Sequence, residues 1–148
     1  MLKQGPILIV EDDADDQSLI QEALQTLYLE NSLLFFEQGS TALQYLKTTT
    51  DQPFLILCDM NMPGMNGLEF LKKIQTELPQ HIRTVPFIFF STSATPDAMQ
   101  QAYSFNAQGF FVKPNAISET KWMLQLIITY WQNSYHPNNK ERMLSRHI

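Results

Sequence analysis

The chain has 148 residues, 44% hydrophobic and 11% aromatic, with a formal net charge of -5 and a pI near 5.0. That length suits one sizeable core better than two, and the acidic balance argues against direct nucleic-acid binding, which needs a concentrated basic patch. Cys58 is the single cysteine, which excludes an intrachain disulfide or a thiolate metal site and suits a reducing cytoplasm.

In chain order, Met1 to Pro6 shows no signal-peptide pattern and leads into the apolar run Ile7 to Val10. Four more short apolar runs follow: Leu33 to Phe36, Phe54 to Cys58, Pro86 to Phe90 and Phe110 to Val112. Their near-continuous hydrophobicity predicts strands covered on both faces, as in a parallel sheet. Apolar residues at helical spacing predict helices over Asp15 to Glu30, Ser40 to Lys47 and Leu68 to Leu78. Thr95-Pro96-Asp97 reads as a helix start, with a capping hydroxyl, a proline at the first helical position and an acid in the first turn. That helix is expected to reach Ala107. A last helix begins near Ser118 and carries Trp122, Met123, Leu126, Ile127, Tyr130 and Trp131. Its apolar stretch is broken by Gln125 and Thr129 and is shorter than the roughly 18 to 20 residues of a membrane span.

The alternation predicts a doubly wound α/β domain of (βα)₅ type over residues 1–134, followed by a polar tail over 135–148. In such a sheet, ligands bind outside the carboxyl ends of the strands. Polar residues at those ends are therefore the candidates. The first strand ends in Glu11-Asp12-Asp13, the third in Asp59, the fourth in Ser91-Thr92-Ser93 and the fifth in Lys113-Pro114. Carboxylates crowded together cannot all stay ionised cheaply unless a cation compensates. Oxygen-only donors suggest Mg²⁺, and an ammonium beside such an ion suits a multiply charged anion such as a phosphoryl group. Singly, each residue has a plainer reading: a helix cap, a solvated loop acid or a surface lysine. Their joint placement at strand ends favours chemistry.

These residues resemble the receiver domain of two-component response regulators, from about Ile7 to Trp131. The resemblance rests on the acid pair Glu11 and Asp12, the run Asp59-Met60-Asn61-Met62-Pro63-Gly64-Met65-Asn66-Gly67, Ser91, and Lys113 before a proline. The Asp15-Asp16-Gln17 and Ser93-Ala94 contexts are most similar to stand-alone receivers of the chemotaxis and phytochrome-linked type. The resemblance implies a flavodoxin-like sheet of order 2-1-3-4-5. It further implies Asp59 as phosphoacceptor and a Mg²⁺ held by Glu11, Asp12, Asp59 and the backbone carbonyl of Asn61. Ser91, Thr92 and Lys113 would bind the phosphoryl group, with the amide of Met60, while Phe110 acts as the switch aromatic. Asn61 and Ser93 would tune the hydrolytic water.

Implied partners are a sensor histidine kinase or phosphotransfer protein that supplies the phosphoryl group, and a downstream protein that reads the result, in the cytoplasm. Neither nucleic acid nor membrane is expected as a direct partner. Trp122, Tyr130, Trp131 and Tyr135 are candidates for a homodimer or partner surface, against the plainer reading that part of this helix packs on the sheet. The haloacid dehalogenase-like phosphotransferases also use a strand-end aspartate, but need a second acid where Asn61 stands. The main alternative is a degenerate receiver that is never phosphorylated and serves as a docking module.

Overall fold

The computed structural model describes residues 4–138. Its elements alternate as β1 (Ile7–Val10), α1 (Ala14–Gln25), β2 (Leu33–Phe36), α2 (Gly39–Thr48), β3 (Leu55–Cys58) and α3 (Gly67–Glu77). They continue with α4 (Gln80–Arg83), β4 (Phe87–Ser91), α5 (Pro96–Ser104), β5 (Gly109–Val112) and α6 (Ile117–Asn133). The five strands form one parallel sheet of order β2-β1-β3-β4-β5, with Ile7 opposite both Leu33 and Leu55, Cys58 opposite Phe89, and Ser91 opposite Val112. The predicted doubly wound architecture and strand order are both present.

Alternate strand residues serve opposite faces, because successive side chains on a strand point to opposite sides. Leu8, Val10, Ile56, Cys58, Phe87 and Phe89 face α2, α3 and the adjoining helices, whereas Ile7, Ile9, Leu55, Leu57, Ile88 and Phe90 face α1 and α6. The three central strands are thus covered on both sides, which is why their sequences show no polar alternation. Each fully buried Phe or Leu in these layers contributes about 1.5–3 kcal/mol over its exposed state.

Helix ends depart from the sequence expectation for local reasons. Helix α1 stops at Gln25, where the Thr26 hydroxyl donates to the Ala23 carbonyl and Tyr28 turns left-handed at φ 52°. Helix α4 is an additional turn after Pro79, held to the core by buried Ile82. One turn carries no periodicity to read. Thr95 caps α5 through the Ala98 amide at 3.1 Å, and Asn66 with Glu69 forms a reciprocal capping box on α3.

On α6, Trp122, Leu126 and Tyr130 are exposed, while Trp131 packs against the core layer under α1 and α6. The start of the expected tail is docked. His136 is buried, stacked on Phe54 with ring centroids 4.8 Å apart, and Asn138 donates from its amide side chain to the Gln4 carbonyl at 2.6 Å. The remainder of that segment, 139–148, lies outside the described residues.

Candidate functional site

Backbone hydrogen bonds bring the strand ends into one rim. The Glu11 amide donates to the Phe36 carbonyl at 2.9 Å, the Asp59 amide to Val10 at 3.0 Å and the Lys113 amide to Ser91 at 2.8 Å. The ladder therefore continues one residue past β1, β3 and β5, which fixes the Cα positions of Glu11, Asp59 and Lys113 before their side chains act.

The loop after Asp59 is equally constrained. Its far end closes through the Gly67 amide, which donates to the Met60 carbonyl at 2.9 Å, and Asn66 then caps α3. Gly67 has no alternative, since a Cβ there would overlap the Asp59 carbonyl oxygen and lie 2.9 Å from the Phe89 ring. Gly64, at φ 73°, supplies the left-handed step of the same loop.

At the centre, Asp59 is mostly buried and its two oxygens have different partners. The Ser91 hydroxyl donates to Oδ1 at 2.7 Å and the Asn61 amide at 3.3 Å, while Lys113 Nζ lies 3.6 Å from Oδ2. The Asn61 side-chain amide reaches Ser91 Oγ at 3.4 Å and the Ser93 carbonyl at 3.3 Å. It thus spans the two loops. Thr92 and Ser93 are exposed at the mouth, and Phe110 is half-buried, stacked on Phe89 at 5.3 Å.

Lys113 also pairs with Glu11 and, at 2.9 Å, with Asp16. Glu11 is 2% exposed; its carboxylate accepts from the Asp13 amide at 3.2 Å, and its carbonyl accepts from the Gln17 side chain. Burial pushes the Glu11 carboxyl up from 4.5 to about 7, the charge of Asp59 adds to the rise, and Lys113 opposes it. The lysine is driven above its usual value because its acidic partners outweigh its own burial. Burial likewise raises the Cys58 thiol, which keeps it unreactive beneath the site.

One ammonium thus faces three carboxylates, and a fourth, Asp12, stands exposed at the rim. Glu11, Asp12 and Asp59 can each offer an oxygen within 4.8 Å of the others. An all-oxygen, multiply anionic donor set fits a hard divalent cation. Of the strand-end residues singled out from the sequence, Glu11, Asp12, Asp59, Ser91 and Lys113 meet at this rim, whereas the Asp13 side chain caps α1. Asp16 and Gln17 were not assigned a role there. They sit on the first turn of α1, where acids and amides ordinarily face water, and only the fold brings them to Lys113 and Glu11.

Residues 7–125 match the family model described as the response regulator receiver domain. The chain belongs to this family. As a receiver, it is 31% identical over 144 residues to the DNA-binding transcriptional regulator NtrC of Proteus hauseri, a match covering 97% of this chain and 28% of NtrC. It therefore spans little more than a quarter of that relative. It is 28% identical over 130 residues to the response regulator Rcp1 of Synechocystis, covering 84% of this chain and 87% of Rcp1.

Among solved structures, the receiver resembles the Mn²⁺-bound form of Rcp1 with a TM-score of 0.77, 27% identity and coverage of 90% of this chain and 97% of Rcp1. It resembles the phosphorylated cyanobacterial phytochrome response regulator RcpA at 0.82, with 26% identity and coverage of 93% and 100%. Among the described residues, no helix is long and apolar enough to cross a membrane.

Proposed function

We propose that this receiver accepts a phosphoryl group on Asp59 in a Mg²⁺-dependent reaction and thereby switches a protein-binding surface. The observation that carries the reading is convergence on one carboxylate: Ser91 on Oδ1, Lys113 near Oδ2, and Glu11 and Asp12 beside it. Glu11, Asp12, Asp59 and the Asn61 carbonyl would hold the ion. Bound there, Mg²⁺ would offset negative charge on the transferring oxygens.

An Asp59 oxygen attacks phosphorus, the bond from phosphorus to the donor breaks, and the donor leaves with the bonding electron pair. From acetyl phosphate the leaving group is acetate; from a phosphohistidine of a kinase or phosphotransfer protein it is the imidazole nitrogen. No proton need be removed, because Asp59 is already an acceptor group. The Ser91 hydroxyl and Lys113 ammonium, aimed at this carboxylate beforehand, would then donate to phosphoryl oxygens, with the Thr92 and Met60 amides. Hydrolysis reverses the gain. Water attacks phosphorus, the Asp59 carboxylate leaves, and the water's protons pass to phosphate and solvent, with Asn61 and Ser93 positioned at the mouth to tune access.

The added charge of about -1.5 to -2 must favour one arrangement over another to act as a signal. Ser91 ends β4 and Phe110 stacks on Phe89 of the same strand, so movement at Ser91 has a route to α5 and β5. Met99 and Tyr103 on α5 and Val112 on β5 are exposed there, and Trp122, Leu126 and Tyr130 form one line on α6. A downstream cytoplasmic protein, or a second receiver, would read that surface.

Incubation with acetyl phosphate and Mg²⁺, followed by intact mass spectrometry, tests the chemistry. One phosphoryl adduct is expected in the wild type, none in Asp59→Asn and none after EDTA. No adduct with acetyl phosphate or any phosphohistidine donor would replace this reading with that of a docking module. For the switch, backbone NMR shifts over residues 91–113 should move when a phosphoryl mimic binds; unchanged shifts would refute it.

A further inference from the structure

Lys113 is held by more than the phosphorylation chemistry requires. Among the described residues, the acids within ion-pairing distance of its ammonium are Glu11, Asp16 and Asp59. Two of these belong to the acid cluster. Asp16 does not: it lies on the first turn of α1 rather than at a strand end, and its carboxylate is nearer to Nζ, at 2.9 Å, than that of Asp59, at 3.6 Å.

Its position is built. Asp13 caps α1 and its side chain accepts from the Asp16 amide at 2.9 Å, while Gln17 ties the same turn to the Glu11 carbonyl. The Asp16 side chain is 38% exposed, so it can be resolvated with little loss if the lysine leaves. Glu11, at 2%, cannot.

Resting on the phosphorylation reading above, we infer that Asp16 is a positioning residue for Lys113, whose carboxylate competes with the phosphoryl group on Asp59 for the ammonium. An ammonium has three protons to donate. When Asp59 gains a phosphoryl group, the stronger charge draws Lys113 inward and the Asp16 pair, the most exposed of the three, is the one given up. The loss falls between the resting state and the transition state. It does not fall between the phosphorylated state and the transition state for hydrolysis, because Lys113 already sits on phosphoryl oxygens in both. Asp16 therefore slows phosphorylation without changing dephosphorylation.

The test compares Asp16→Asn with Asp15→Asn, a neighbouring exposed acid on the same turn that makes no ion pair with Lys113. Both variants change net charge equally, so repulsion of an anionic donor is matched. With acetyl phosphate and Mg²⁺, phosphorylation of Asp16→Asn is expected to be about threefold faster than that of Asp15→Asn. Dephosphorylation rates should be equal in the two, Asp16→Glu should return to the wild-type rate, and the gain should vanish in a Lys113→Gln background. Equal phosphorylation of the two Asn variants would overturn the inference. So would a slowing of both directions in Asp16→Asn, which would mean that Asp16 merely orients Lys113. An unphosphorylated wild type would sink the parent reading as well, and is distinguishable because no variant comparison is then needed.

Discussion

The two ends of the sheet solve opposite problems. At the carboxyl ends, Glu11 and Asp59 are buried with one lysine between them, and Asp12 adds a further charge at the rim. At the amino ends, the described segments around Gly5 and His136 are pinned to the sheet. His136 stacks on Phe54 and bonds its carbonyl through Nε2, its Nδ1 accepts from the Asn138 amide, and Asn31 donates to the Gly5 carbonyl at 2.8 Å. A hollow of about 620 Å³ opens there beside Tyr28, Glu30 and Asp51, yet no cation converges on its acids among the described residues. The hollow offers space without opposed charges, whereas the rim brings opposed charges together. One end crowds charge at some cost in stability, and the other supplies stability.

Two glycines give the sharpest way to break this comparison. A Cβ at Gly5, where φ is 104°, would overlap the Gln52 carbonyl oxygen, and one at Gly67 would overlap that of Asp59. Gly5→Ala and Gly67→Ala should each cost about 3 kcal/mol or more in urea unfolding. Only Gly67→Ala should also slow phosphorylation of the folded protein, by about a hundredfold, because it displaces the acceptor. Equal slowing in both variants would dissolve the division between the ends. Next in size, His136→Ala should cost about 2–4 kcal/mol from the lost ring packing and hydrogen bonds, with the phosphorylation rate unchanged.

The rim responds to pH through Glu11. The Glu11 carboxyl, raised by burial from 4.5 to about 7, holds its proton in the metal-free folded state after the unfolded chain has lost it. Its contribution to stability is therefore most favourable below 4.5 and declines as pH rises toward 7. Cation binding has the opposite sense. Because a bound cation needs the ionised carboxylate, Mg²⁺ affinity measured by calorimetry should fall about tenfold between pH 8 and pH 6, with proton release on binding. A flat profile would show that Glu11 does not face the ion. The smallest change in stability is expected from Asp59→Asn, which removes one of the crowded acids while keeping an oxygen for Ser91. It should raise stability by about 1 kcal/mol in the absence of divalent cations.

The strands were legible because each is a nearly uninterrupted apolar run, and a sheet covered on both faces needs that pattern. The rim was legible for a related reason: Glu11, Asp59, Ser91 and Lys113 each mark where an apolar run stops, so one topological rule collects them. Asp16 escaped that rule because it stands on a helix, and its charge looks like ordinary solvation until β5 delivers Lys113 beside it. His136 escaped because its neighbours Tyr135, Pro137 and Asn138 are polar or turn-forming, while its own partner, Phe54, is 82 positions distant. Contacts between segments far apart in the chain, made by single residues, leave no local pattern.

The hydrogen bond from the Lys113 amide to the Ser91 carbonyl has a mechanical meaning. It couples the backbone of the residue that donates a hydroxyl to Asp59 with the backbone of the residue that offers it an ammonium. A displacement of either strand end would therefore be passed to the other, and among the described residues β5 lies at the sheet's border. The border strand is tied to its neighbour through the last rung of the ladder.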